Sequence, residues 1–325
     1  MAQGRQGRDA IVPPPPATLS HGPLYMNVST EPEFTLAWVS ASDGARLRTG
    51  HWRPAGPPRG RVLLLQGLSE FLEKYAQVAA GLTGRGFEVY SFDWRGQGHS
   101  PLDGAKAPGV FARHLSDLDE MLLALPAGPL PLLLGHSMGA HLALRHLQRK
   151  PQAVAHAVLC SPMLGLRTGR WPRHLARRLG AGMIRLGLGG RSLPGRRQYT
   201  PGHIPFAMNP FTSDRASYRR LQDLVRADPD LGFGDVTWYW LAAAFDSLDR
   251  LHATGAAEII TTPVTFLLAG HDLIVDSHAA QAFAARLPHA KTVCIANARH
   301  ELLQEAPAML GQVWAAIDSA FSNGG

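Results

Sequence analysis

Cysteine is nearly absent: the 325-residue chain holds two, Cys160 and Cys294. Two thiols are too few for the disulfide framework of a small secreted scaffold, and no cluster of His and Cys at metal-ligand spacing accompanies them. Both lie in apolar runs, AVAHAVLC and KTVCIA, that read as buried strands, so both are expected to be reduced packing residues. No run approaches the ~18–20 uninterrupted apolar residues of a membrane-spanning helix, and the N-terminus lacks the charged-then-apolar pattern of a secretory leader. A soluble, cytoplasmic protein is the expectation. Acidic residues are missing locally: from Met121 to Ser213 there is no Asp or Glu but twelve Arg or Lys, nine of them between Arg167 and Arg197. The net charge of +7 suits an anionic partner. Without a basic strand motif interleaved with aromatics, a zinc pattern or a helix-turn-helix, that partner is not expected to be nucleic acid.

What is present is a chain 45% hydrophobic, long enough for one large α/β domain or a domain with an insertion. Residues 1–33 carry PPPP at 13–16 and little that could pack, and read as a flexible arm with no chemistry. FTLAWV and RLRTGHW flank Ser42-Asp43-Gly44, the signal of an opening antiparallel hairpin. Short apolar runs (RVLLLQ, FEVYSFD, PLLLG, AVAHAVLC, PVTFLLAG, KTVCIA) then alternate with helical-period segments, including ones near 72–84 and 111–125. That alternation predicts an α/β fold with a mostly parallel sheet and helices on both faces. Between about 163 and 250 the strand rhythm stops. This stretch reads as a cap or lid insertion over the C-terminal edge of the sheet, leaving 34–162 and 251–325 as the core.

Gly135-His136-Ser137-Met138-Gly139 fits G-x-S-x-G between an apolar run, LLLG, and a helical one, AHLALRHLQ. In that context the motif is a nucleophile elbow: the serine sits in strained backbone geometry, and the small residues two positions either side let neighbouring elements approach. A serine hydroxyl needs a base to take its proton and a carboxylate to orient that base. The order Ser, then Asp or Glu, then His directs attention to the C-terminal third. Asp272 follows the strand 263–270; Asp276 is its rival, four residues on at the start of a helix. His300 follows the strand 291–296, and is preferred over His271, His278 and His289, none of which follows a strand end in last place. For the oxyanion, the Met138 amide follows the nucleophile, and Gln66-Gly67-Leu68 ends an earlier strand so that Leu68 can aim its amide inward.

With these residues in view, the sequence resembles the lysophospholipase and monoglyceride lipase group of α/β-hydrolases, which also includes proteins called serine aminopeptidases. The resemblance spans about residues 34–320 and rests on QGLSEFLEKY, FDWRGQGHS, GHSMG, SPML, NPFTSD, AGHDLIVD and ARHELLQE, in that order. It implies a helical cap on an α/β-hydrolase fold and a catalytic triad of Ser137 as nucleophile, Asp272 as acid and His300 as base, with Leu68 and Met138 as oxyanion donors. Where many members begin the oxyanion loop with His-Gly, this chain has Gln66-Gly67. The donor is a backbone amide two positions on, so the hole is expected to survive. Asp93 precedes the serine and in such proteins looks structural.

In WPRHLARRLGAGMIRLGL a helical wheel puts Trp171, Leu175, Leu179, Met183 and Leu186 on one face and Arg173, His174, Arg177, Arg178 and Arg185 on the other. Such a segment either buries its apolar face with solvated arginines, or makes peripheral contact with an anionic membrane, here its inner face. Together with the resemblance, it directs the expectation to an ester hydrolase for single-chain lipids, lysophospholipase-type, with monoacylglycerol lipase or general carboxylesterase as the alternative. A non-catalytic binding protein on the same fold is the remote reading. A peptidase fits less well, because the front half of the cap offers no carboxylate to a free amine. Neither metal, organic cofactor nor obligate protein partner is expected.

Overall fold

The structure, a computed structural model, describes residues 33–101, 106–167, 172–194, 203–231 and 236–322. Residues 1–32 of the predicted N-terminal arm, Trp171 and the arginines at 170, 196 and 197 lie outside them, while Glu33, the last residue assigned to the arm, already opens the first strand. Eight strands form one sheet in the order β1-β2-β4-β3-β5-β6-β7-β8. β1 (Glu33–Ser40) and β2 (Arg46–Arg53) are the expected hairpin, with Phe34 opposite Trp52 and Ser40 opposite Arg46. β2 runs antiparallel to β4 (Phe87–Phe92). From β4 onward the sheet is parallel through β3 (Gly60–Leu65), β5 (Leu132–His136), β6 (His156–Cys160), β7 (Val264–Ala269) and β8 (Ala290–Ile295). The chain has the α/β-hydrolase fold.

Continuous apolar strands are what a sheet covered on both faces requires. Along β3, Val62 and Leu64 enter the layer shared with α1 (Ala76–Thr83) and α8 (Pro307–Ser322). Leu63 and Leu65 alternate into the layer shared with α2 (Val110–Ala124), α3 (Ser137–Arg149) and α7 (Ser277–Ala284). Each fully buried Leu or Phe contributes about 1.5–3 kcal/mol relative to exposure, so the two layers fix the sheet firmly. Cys160 is buried in β6, but Cys294 is exposed, contrary to its expected burial: β8 is the terminal strand of the sheet, and Lys291, Thr292 and Cys294 along it are exposed. Neither thiol is in a disulfide.

Between β6 and β7 come α4 (Arg173–Arg185), α5 (Arg215–Ala227) and α6 (Trp238–His252). Asp214 and Thr237 cap α5 and α6, their side chains accepting first-turn amides. α6 packs on α2 and α3: Trp240, Ala244 and Leu251 join the main core, and the Phe111 and Trp240 rings lie 5.7 Å apart. α4 lies against α6 with the face that was not expected to pack. Arg173 and Arg177 both pair with Asp249, Arg177 also meets Asp246 at 2.9 Å, and both guanidinium groups lie over the Phe245 ring. Leu175, Leu179 and Leu186 point outward at 38%, 48% and 73% exposure. Three charge-assisted pairs and two cation–π contacts, supplied by a helix some 70 residues downstream, hold α4 in this orientation, while His174, Arg178 and Arg185 stay exposed.

Candidate active site

Ser137 stands where β5 gives way to α3, with a φ of +50° that a serine adopts only when the surroundings hold it there. The flanking glycines are sterically required. A Cβ on Gly139 would lie 2.5 Å from the carbonyl oxygens of both Leu65 and Gln66, and one on Gly135 would lie 2.9 Å from the Ala140 Cα. These contacts are backbone, which cannot swing away. Gly139→Ala is therefore expected to cost about 2–3 kcal/mol, the upper part of the overpacking range, read as a lowered denaturant midpoint.

The structure brings Ser137, His300 and Asp272 together. His300 Nε2 is 3.0 Å from Ser137 Oγ, and His300 Nδ1 is 2.8 Å from Asp272 Oδ2. All three are buried. The other oxygen of Asp272 accepts the amides of Ile274 and Val275, at 2.8 and 2.9 Å. Burial pulls the Asp272 carboxyl upward, but His300 and those two amides outweigh it and hold the group below the usual carboxylate range. Asp276 instead caps α7 through the amides of His278 and Ala279. His271, His278 and His289 are all exposed.

The loop after β3 is held from both sides. The Gly67 amide donates to Glu70, the Ser69 amide donates to Gln97, and Ser69 has a φ of +60°. Leu68 sits between these two anchored amides, its side chain packed against the main core. Met138 lies in the first turn of α3, where helical amides have no carbonyl four residues back to donate to. Such a pair of amides could receive a developing oxyanion. Asp93 ties the neighbouring loops: it binds Arg48 Nε at 2.7 Å and the amides of Leu72 and His99 at 2.9 and 3.2 Å. Burial lifts its carboxyl to about 6 in spite of Arg48.

A second cluster escaped sequence reasoning. Lys74 Nζ bridges Glu70 Oε1 at 2.6 Å and Glu301 Oε1 at 2.7 Å, Tyr75 donates to Glu70 Oε2 at 2.6 Å, and His136 reaches Glu70 and the His300 carbonyl. Burial pulls Glu70 up, but Lys74 and His136 hold it well below the ordinary carboxylate range. The i,i+4 spacing of Glu70 and Lys74 was visible; the meeting with Glu301 and His136 is tertiary. Among the described residues no three His, Cys, Asp or Glu side chains are grouped so as to hold a metal ion.

The hydroxyl, imidazole and carboxylate meet at the C-terminal edge of a parallel sheet, and the chain that brings them together has known relatives. Residues 56–307 match the family of serine aminopeptidases, S33. The chain belongs to that family. Among the relatives of this S33 chain are the probable lysophospholipase L2 of Haemophilus influenzae, 28% identical over 84% of this chain and 87% of that one, and the lysophospholipase L2 of Escherichia coli K12, 29% identical over 80% of each. The monoacylglycerol lipase of Mycolicibacterium smegmatis is 33% identical over 44% of this chain and 51% of its own. In fold, the S33 chain resembles the monoacylglycerol lipase of Paleococcus ferrophilus, with a TM-score of 0.67 at 23% identity, covering 85% of this chain and 98% of that one.

Proposed function

We propose that this protein is a serine hydrolase that cleaves the carboxylic esters of single-chain lipids, lysophospholipids first, through an acyl-enzyme on Ser137. The observation that carries the reading is the unbroken line of contacts from Asp272 through His300 to Ser137, at 2.8 and 3.0 Å. In this reading Ser137 Oγ attacks the ester carbonyl as His300 Nε2 takes its proton, and the amides of Leu68 and Met138 hold the oxyanion. His300 then returns the proton to the leaving alcohol and activates the water that releases the fatty acid, while Asp272 fixes the imidazole tautomer. No step draws on a metal or cofactor. The lysophospholipid preference is supported by similarity to lysophospholipases along more than three quarters of the chain.

One observation favours a second reading, a monoacylglycerol lipase. Arg173 and Arg177 are already engaged by Asp246 and Asp249, which leaves less free positive charge for a phosphate headgroup. Assay of the purified protein on lysophosphatidylcholine, lysophosphatidylethanolamine, monoacylglycerol and short p-nitrophenyl esters decides between them. The first reading expects kcat/KM on a lysophospholipid at least about 10-fold above monoacylglycerol, roughly 1.4 kcal/mol of discrimination; the reverse order supports the second.

We place residues 163–250 as a cap over the site, and the protein in the cytoplasm, with peripheral contact at the inner face of the membrane. No helix among the described residues is long and apolar enough to cross a membrane, so contact would be peripheral. The outward leucines of α4, flanked by His174, Arg178 and Arg185, have the makings of an interfacial helix for anionic lipid. Leu179→Asp is expected to weaken sedimentation with anionic vesicles by about 10-fold, from lost apolar burial and added repulsion, with hydrolysis of a water-soluble p-nitrophenyl ester unchanged. Equal sedimentation of both proteins would remove α4 from the membrane contact.

A further inference from the structure

We propose that His136, the residue before the nucleophile, is a positioning residue held as an imidazolium, which with Glu70 locks the oxyanion loop and the His300 backbone into one arrangement. The proposal rests on the hydrolase reading above and adds a charged group that the triad does not contain.

The protonation state follows from the partners. His136 Nε2 lies 3.2 Å from the backbone carbonyl oxygen of His300, which can only accept, so that nitrogen carries a hydrogen. Nδ1 lies 3.3 Å from Glu70 Oε2. Glu70 already accepts from the Lys74 ammonium, the Tyr75 hydroxyl and the Gly67 amide, the surroundings of an ionised carboxylate. The Nδ1 atom therefore carries a hydrogen too. His141, equally buried one turn along α3, shows the contrast: its Nδ1 donates to the Met163 carbonyl, and the Ser247 hydroxyl can donate to its Nε2, so it is complete as a neutral ring. Burial pushes His141 down to about 3.

Charge balance gives the same answer independently. The ionisable groups around His136 are Glu70, Lys74 and Tyr75 from the oxyanion loop and the turn after it, His300 and Glu301 from the loop after β8, and Cys160 at the end of β6. The Tyr75 hydroxyl and the buried Cys160 thiol are both pushed up and stay neutral. Two carboxylates then face one ammonium. A buried net negative charge is costly, and a protonated His136 removes it. Burial pushes His136 down, but the Glu70 carboxylate more than offsets this and its proton is held above the ordinary histidine range.

The functional consequence is mechanical and electrostatic. The Glu70 oxygen that holds the Gly67 amide also faces His136, whose opposite nitrogen grips the chain at His300; oxyanion loop and base are thus linked through two side chains. The His136 and His300 rings lie 4.9 Å apart, so the standing positive charge sits beside the base.

The test is nitrogen NMR of the ¹⁵N-histidine-labelled full chain, with His136 assigned by ring-to-backbone correlation in the unaltered protein. Both His136 ring nitrogens are expected to show imidazolium shifts at pH 8, and the proton-bearing ring nitrogens of the pair should exchange slowly. His136→Gln keeps a donor but no charge. It and Glu70→Gln are each expected to lower kcat by about 10–100-fold with KM changed less than about 3-fold. A neutral His136 ring at pH 8 in a protein whose Ser137 still reacts with a fluorophosphonate overturns the proposal alone. Failure of Ser137 to react overturns the hydrolase reading beneath it.

Discussion

Ser137→Ala is expected to lower kcat/KM for lipid and p-nitrophenyl esters by at least about 10⁴-fold while leaving the circular dichroism spectrum and denaturant midpoint close to those of the parent. The size follows from what remains. The amides of Leu68 and Met138 and the substrate contacts survive, and such remnants supply only the last few orders of magnitude over water. The small effect on folding follows because the Ser137 side chain has one contact that matters, with His300 Nε2, and an alanine methyl fits the same space. A drop of less than 10-fold would mean that another group performs the attack.

Asp272→Asn is expected to cost about 10⁴ in kcat with little change in KM. The Asp272 carboxylate accepts from His300 Nδ1, which leaves Nε2 free to take the serine proton. An asparagine can present an amide N–H at that point and stabilise the opposite tautomer, in which Nε2 already carries a hydrogen and cannot act as a base. Asp276→Asn is the control: asparagine caps a helix about as well as aspartate, so α7 should persist and kcat should change by less than about 3-fold. The pH dependence carries the same sign. Because the folded Asp272 carboxyl is held below its ordinary value, its contribution to stability is fully present above the unfolded value near 3.9 and is lost as pH falls through the lower folded value. Asp272→Asn should therefore flatten the acid side of the stability profile, measured as denaturant midpoint against pH.

The sheet and the elbow were legible because their causes are local. An unbroken apolar run such as that of β3 is what a strand covered on both faces requires, and the elbow at Ser137 announces itself through two glycines whose Cβ atoms would strike backbone. Asp272 and His300 were legible because strand ends gather function at one edge of a parallel sheet. The orientation of α4 was not legible: its wheel shows two faces but not which one finds a partner, and the deciding residues, Asp246 and Asp249, sit on α6. Cys294 read as buried because its run is apolar; that β8 ends the sheet is a fact of strand order, not of composition. The Glu70, Lys74, His136 and Glu301 cluster was hidden for a related reason, since it joins three segments separated by up to 231 positions in the sequence.

The most direct measurement is mass spectrometry of the intact and digested chain after reaction with a fluorophosphonate at neutral pH. The account predicts one adduct per chain, located on the peptide containing Ser137, formed slowly in Asp272→Asn and not at all in Ser137→Ala. An adduct on any other residue, or an unlabelled chain that still hydrolyses esters, would contradict it.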